Sequence, residues 1–246
     1  LMFGGMNFFD ALNHSFTTMA TGGYSTKQDS IAAFSSPFIQ YVIIAFMLLA
    51  GTNFTLAYFA IHLNFKKVFK NEEFRYYLGF AFGFTALIAG VLIYHGDGGI
   101  EKSFRDALFQ VVSIMTTTGF VTVDYLSWIP FLGVIIFVVM FFGGSSGSTG
   151  GGIKIIRIVI LLKNGYLELK RLIHPNAVLP VRINSKAVPQ AIVTNILAFV
   201  VFYIMIMVIS TIVMSMMGYN LDTSMGAVVT TLGNIGPGIG AVGPMD

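Results

Sequence analysis

FTTMATGGYST, from Phe16 to Thr26, is an uncharged strip of hydroxyls and glycines set just before a long apolar run. SIMTTTGFVTV, Ser113 to Val123, repeats the pattern, and VVTTLGNIGPG, Val228 to Gly238, repeats it more loosely. Each strip follows a short apolar segment, 7 to 19, 103 to 117 and 221 to 232. As helices these reach only about 18 to 23 Å, too short for a hydrocarbon core of about 30 Å. They can dip into a membrane and return, provided protein or water covers the non-helical part. Asp10 stands thirteen residues before Gly23, Asp106 thirteen before Gly119 and Asp222 fourteen before Gly236. The spacing predicts three copies of one unit, with each aspartate capping the N-terminus of a dipping helix.

Working outward, the rest of the chain has the composition of a membrane protein. Hydrophobic residues make up 55% and charged residues 10% of the 246, with a mean hydropathy of +0.80. A soluble domain carries about 25% charged residues, so this chain lacks the polar surface to face water. There are no cysteines, which excludes disulfides and thiolate metal sites. Apolar runs at 37 to 64, 76 to 95 and 189 to 217 are long enough to span, the first and last opening on Pro37 and Pro189. Trp128 to Leu162 predicts a fourth span, interrupted by GGSSGSTGGG, Gly143 to Gly152.

Charge sets the orientation. Lys66 to Arg75 and Lys154 to Lys186 hold 11 of the 14 Lys and Arg, so the positive-inside rule makes both loops cytoplasmic. All three dips then enter from the outside, where 8 of the 11 acidic residues lie, a field that gathers cations. The basic pI near 9.1 is explained by topology, and no nucleic-acid partner is expected.

An extended, uncharged loop after a dipping helix suits ion coordination. Its carbonyl oxygens replace the water shell of a potassium-sized cation when the backbone turns them toward one axis. Glycine permits those turns, and several such loops around an axis make a ring of oxygens.

The order short helix, strip, span, basic loop, span resembles the Trk/Ktr/HKT superfamily of potassium transporters. Its TrkH branch in particular is matched by ATGGYST, TTTGF, NIGPG, GGSSGSTGGGIK and IHPNAV. The resemblance implies an all-α integral membrane fold of repeated span–pore helix–span units around a pseudo-four-fold pore. It implies that the filter is formed by Thr21, Gly22 and Gly23, by Thr117, Thr118 and Gly119, and by Asn234, Ile235 and Gly236, each strip with one central glycine. Asn234 departs from the threonine of the other two. Against four repeats in the family, the chain holds about two and a half: 1–70 is the second-repeat pore helix, filter and inner span, 71–186 the third repeat with its broken span and cytoplasmic segment, and 187–246 the fourth-repeat outer span, pore helix and filter. The resemblance further implies potassium uptake across a bacterial inner membrane, K+ as the only ligand with no organic cofactor, a lipid-embedded homodimer, and a cytosolic nucleotide-binding regulatory subunit contacting Leu167 to Lys186.

The interrupted span predicts a gate. Gly143, Gly144, Ser145, Ser146, Gly147, Ser148, Thr149, Gly150, Gly151 and Gly152 are all small, fall past the membrane midplane, and must be buried or line a cavity. The loop then obstructs the conduction path until it moves aside, with Lys154 and Arg157 behind it either snorkelling to the interface or pairing with a partner. GGSSGSTGGGIK is not a phosphate-binding loop, since Ile153 parts the last glycine from Lys154 and no strand precedes it. GIGAVG, Gly238 to Gly243, matches a dinucleotide fingerprint in form only, because it follows a dipping helix. Two alternatives stay open: a less selective monovalent cation pathway, and an intramembrane serine protease built on Gly144-Ser145-Ser146-Gly147. The protease requires a histidine facing the serine, and His14, His62, His95 and His174 are read as interfacial rather than mid-span.

Overall fold

The computed structural model describes residues 1–96, 98–174 and 177–244. Pro175 and Asn176 of IHPNAV, and the outer acidic residues Asp97 and Asp246, lie outside them. Among the described residues the chain forms ten α-helices: α1 Phe8–Met19, α2 Pro37–Ala50, α3 Phe54–Ile61, α4 Phe65–Lys70, α5 Glu72–His95, α6 Ile100–Met115, α7 Pro130–Val139, α8 Ile155–Ile173, α9 Gln190–Met216 and α10 Leu221–Gly233. The three short helices that precede the strips are α1, α6 and α10, close to the expected limits.

Among the described residues two helices, α5 and α9, are long and apolar enough to cross a membrane, which matches the runs at 76 to 95 and 189 to 217. The run at 37 to 64 is not one helix. It breaks at Gly51–Asn53, and α3 leaves α2 at 112°. The break has local causes. Asn53 caps α3 by accepting from the Thr55 N–H at 2.8 Å, while the Thr52 and Tyr77 hydroxyls take the Leu48 carbonyl at 2.8 and 3.1 Å. Gly51 is tight against α5 and the end of α6: a Cβ there would lie 2.5 Å from the Tyr77 hydroxyl and 2.8 Å from the Thr116 methyl.

α6 sits at the centre. Its residues from Asp106 to Met115 are all buried, and it packs against α5, α2 and α7. One apolar core joins α5, α6, α7 and α8 through Ile88, Val111, Ile136 and Val159, and a second joins α1, α2 and α6 through Ala11, Ile43 and Val112. The segment after α8 packs back on the helices. It folds into a two-residue hairpin, β1 Arg182–Ile183 and β2 Lys186–Ala187, whose Asn184 accepts from the Glu72 N–H at 2.8 Å. Val181 packs with Ile160, Val193 and Ile196, and Lys163 pairs with Glu72 beside the hairpin.

The aspartates do not cap as expected. Asn7 caps α1, accepting from the Asp10 N–H at 2.7 Å, and Asp10 in the first turn instead takes hydrogen bonds from Asn7 and from the Thr26 hydroxyl at 2.6 Å. That hydroxyl, helped by Lys27, holds the Asp10 carboxyl below the ordinary aspartate range. Asp106 lies nearly two turns inside α6, because the helix starts at Ile100, and the N-cap of α10 is Asn220, just before Leu221 and Asp222, with no side-chain cap bond among the described residues.

Candidate functional site: three strips and a loop

Each of the three helices ends in the same way, and the ending shapes the strip. Thr21, Thr117 and Asn234 take left-handed φ values of 50, 57 and 55°. Their N–H groups donate to the carbonyls three residues back, Thr18, Ile114 and Thr231, at 3.0 to 3.1 Å. The next N–H groups, on Gly22, Thr118 and Ile235, donate five residues back to Thr17, Ser113 and Thr230 at 2.8 to 2.9 Å. This pair of bonds is the Schellman ending of a helix, here with threonine twice where glycine or asparagine is usual. A β-branched residue at positive φ is costly, on the order of 1–3 kcal/mol, and such strain persists only where the surroundings enforce it. Asn234, which departs from the others in sequence, adopts the same conformation because asparagine tolerates it.

Two residues on, Gly23, Gly119 and Gly236 are again left-handed, at φ 66, 84 and 110°. Their lack of a side chain is structural. A Cβ on Gly23 would lie 2.0 Å from the Thr118 carbonyl oxygen, and one on Gly119 would lie 2.0 Å from that of Ile235. The first strip therefore abuts the second, and the second abuts the third. On Gly236 the nearest atom would be 3.9 Å away, so the far side of the third strip is open. Burial follows the same order: Thr117 and Thr118 are buried, whereas Gly22 and Gly236 are exposed.

A third device, absent from the sequence reading, also recurs. The hydroxyls of Thr17, Ser113 and Thr230 donate to the carbonyls seven residues on, of Tyr24, Phe120 and Pro237, at 2.9, 2.6 and 3.1 Å. Thr230 also reaches the Gly236 carbonyl at 2.9 Å. Those carbonyls are thereby engaged. Among the described residues no donor reaches the carbonyls of Thr21, Gly22, Gly23, Thr117, Thr118, Gly119, Asn234 or Ile235. The signal was in the sequence: a hydroxyl residue stands six positions before each glycine.

Two cavities meet at the strips. One of about 500 Å³ is lined by Ala20, Thr21, Thr118, Thr230, Thr231 and Asn234 among others, and one of about 510 Å³ by Tyr24, Ser25, Lys27, Val121 and Pro237 among others. Gly23, Gly119 and Gly236 line both. The C-terminal ends of the three helices point into the strips, which adds their partial negative charge to that of the free carbonyls.

The loop lies against the same place. A Cβ on Gly150 would meet the Thr116 carbonyl at 2.7 Å, and one on Gly151 the Gly233 carbonyl at 2.8 Å. The Gly151 N–H donates to the Thr117 hydroxyl at 2.6 Å. The base of the loop closes on itself, with the Gly143 N–H on the Ile153 carbonyl at 2.8 Å. Its flank is held by the break in α2–α3. The Ser145 N–H donates to Gly51 O at 2.8 Å, the Phe54 N–H to Gly147 O at 3.2 Å, the Asn53 amide to Ser146 O at 2.5 Å and the Thr149 hydroxyl to Ala50 O at 3.2 Å. Glu73, buried at the start of α5, accepts from the Ser146 N–H at 2.5 Å. Lys154 turns back and donates to the Gly150 carbonyl instead of snorkelling, and Arg157 stacks on Phe199 of α9 at 4.1 Å.

With this geometry in view, the family model described as TrkH, cation transport protein, matches residues 3–245. The chain belongs to the TrkH family. It is 39% identical over 244 residues to the Trk system potassium uptake protein TrkH of Escherichia coli (strain K12), covering 98% of this chain and 50% of that protein. It is 35% identical over 239 residues to the Trk system potassium uptake protein TrkG of the same organism. The crystal structure of the potassium transporter TrkH from Vibrio parahaemolyticus matches with a TM-score of 0.91 at 37% identity, over 98% of this chain and 52% of that one. The chain thus spans about half the length of the TrkH relatives it matches. The likeness extends to the fold: this is a largely helical membrane protein with the TrkH architecture.

Proposed function

We propose that the strips Thr21–Gly23, Thr117–Gly119 and Asn234–Gly236 are three quarters of a potassium-selective filter, and that the complete protein takes up K+ across a bacterial inner membrane. One observation carries this: Gly23, Gly119 and Gly236 line both cavities, and among the described residues the carbonyls of Thr21, Gly22, Gly23, Thr117, Thr118, Gly119, Asn234 and Ile235 take no donor. Neutral carbonyls at helix C-termini favour a cation that can shed its water. The open side of Gly236 and the exposed Gly22 leave room for the strip of a first repeat, in line with domains 1–70, 71–186 and 187–246 as parts of successive repeats. The loop Gly143–Gly152 with Lys154 is the gate, since Gly150 and Gly151 press on the inner ends of two strips. A homodimer and a cytosolic nucleotide-binding subunit acting near α8 and the hairpin belong to the same reading, on the family resemblance alone.

A serine protease needs a histidine on its nucleophile. Among the described residues the buried Ser145 hydroxyl has no hydrogen-bond partner, while His14, His62 and His95 bond to the carbonyls of Asp10, Tyr58 and Val91. That favours transport without covalent chemistry. The test is rubidium, potassium and sodium flux into proteoliposomes holding the complete protein. Potassium and rubidium passing in preference to sodium supports a selective filter. Equal passage supports the less selective pathway, and no flux in any gating condition overturns the reading.

A further inference from the structure

His14 is fully buried in α1, although the sequence placed it at an interface. Its Nδ1 lies 2.7 Å from the Asp10 carbonyl oxygen and its Nε2 2.9 Å from the Ser25 hydroxyl, two residues past Gly23. A carbonyl only accepts, so Nδ1 carries the hydrogen and the neutral ring offers Nε2 as acceptor to Ser25. The ring also packs on Phe34 at 5.4 Å and on Phe120 of the neighbouring strip at 5.8 Å. One side chain therefore props the first strip from behind and touches the second.

Gln110 stands nine residues before Gly119, as His14 stands nine before Gly23. With its amide in the orientation that satisfies both ends, Gln110 accepts from the Thr122 N–H at 3.0 Å and the Val123 N–H at 3.3 Å. It hooks the segment beyond its own strip in the same way. The matching position in the third unit is Ala227, and there Thr223 accepts from the Ala241 N–H at 3.1 Å. Of the three hooks, only His14 carries an ionisable side chain.

We propose that His14 is a positioning residue of the first filter strip, and that its protonation from the cavity lined by Tyr24, Ser25 and Lys27, the outer one in the orientation set by charge, lowers potassium entry. The inference rests on the filter reading. Ser25 lines the outer cavity and touches Nε2, which gives a proton its route. When Nε2 takes that proton it becomes a donor, the Ser25 hydroxyl no longer donates to it, and a positive charge stands directly behind the strip. The charged groups facing it are Asp10, on its own helix, and Lys27, on the loop beyond the strip, which lies 3.7 Å from the Asp10 carboxylate. The turn before α2 and the second strip present the rings of Phe34 and Phe120. A unit charge near a bound cation at an effective dielectric of about 20 changes its occupancy by on the order of tenfold.

The experiment measures rubidium flux through the complete protein in proteoliposomes, with inner pH fixed and outer pH set to about 8 or about 5.5, the range of imidazole chemistry. Wild type, His14→Gln, Ser25→Ala and Gly119→Ser are compared. The expected result is a flux ratio between the two pH values of about tenfold in wild type, lower in acid, and near one in His14→Gln. Ser25→Ala is expected to reduce rubidium-over-sodium selectivity at pH about 8, which keeps the test open should His14→Gln fail to fold. A His14→Gln protein with the wild-type ratio, or a Ser25→Ala protein with wild-type selectivity, overturns the role of His14 while Gly119→Ser still loses selectivity. If Gly119→Ser keeps wild-type selectivity, the filter reading itself falls.

Discussion

The three strips and the loop Gly143–Gly152 are both non-helical, glycine-bearing backbone, yet they are anchored in opposite ways. Each strip is held by its own helix, through bonds to residues three, five and seven positions away. The loop is held by distant partners: Ala50, Gly51, Asn53 and Phe54 on the break, Glu73 on α5 and Thr117 on a strip. Local anchors travel with the element they hold, so a strip keeps its shape when neighbours shift. Remote anchors separate together when the elements carrying them move apart. On the proposed reading, the difference separates a filter held in shape by its own helices from a gate whose anchors can part.

The largest test of that contrast is Gly119→Ser. Its new Cβ would meet the Ile235 carbonyl at 2.0 Å on a backbone of φ 84°. Overpacking of this kind predicts a loss of selective rubidium flux of about a hundredfold, with the protein still inserted in the membrane. Glu73→Ala removes a charged acceptor from the Ser146 N–H, an interaction on the order of 1.5–3 kcal/mol. On the proposed reading it raises basal flux about tenfold or more without altering the potassium-to-sodium ratio; a changed ratio would mean the loop shapes the filter as well. Thr149→Ala loses one neutral bond to Ala50, so single-channel recording or flux should show about a two- to fivefold gain in opening. Smallest of all, Gly79→Ala adds a methyl where nothing lies within 4 Å, and flux and thermal stability should stay within about twofold and about 1 kcal/mol of wild type. A larger effect there would reveal a contact surface on α5.

Much of this was legible beforehand because it is local or compositional. The strips showed as hydroxyl–glycine clusters at repeated spacing, and α5, α9 and the loop showed as apolar runs or their interruption. The break at Gly51–Asn53 was not seen, since one glycine and two asparagines inside 28 residues look tolerable in a span. It exists because Tyr77 and Thr116 crowd Gly51 and Asn53 restarts the chain as α3. Asp106 looked like a cap because the start of α6 at Ile100 lies outside the apolar run. Lys154 looked like a snorkelling residue because its partner, the Gly150 carbonyl, becomes available only once the loop is folded.

By itself, then, the sequence determined the membrane class, the repeated helix-and-strip units and the candidate oxygens, because periodicity, charge and glycine spacing act within a few residues. Only the tertiary structure decided that Gly23 abuts Thr118 and Gly119 abuts Ile235, that the loop hangs on the break at Gly51–Phe54, and that His14 stands behind a strip. These depend on backbones meeting within a few ångströms across tens of residues. No local rule fixes which surfaces meet until the helices have packed.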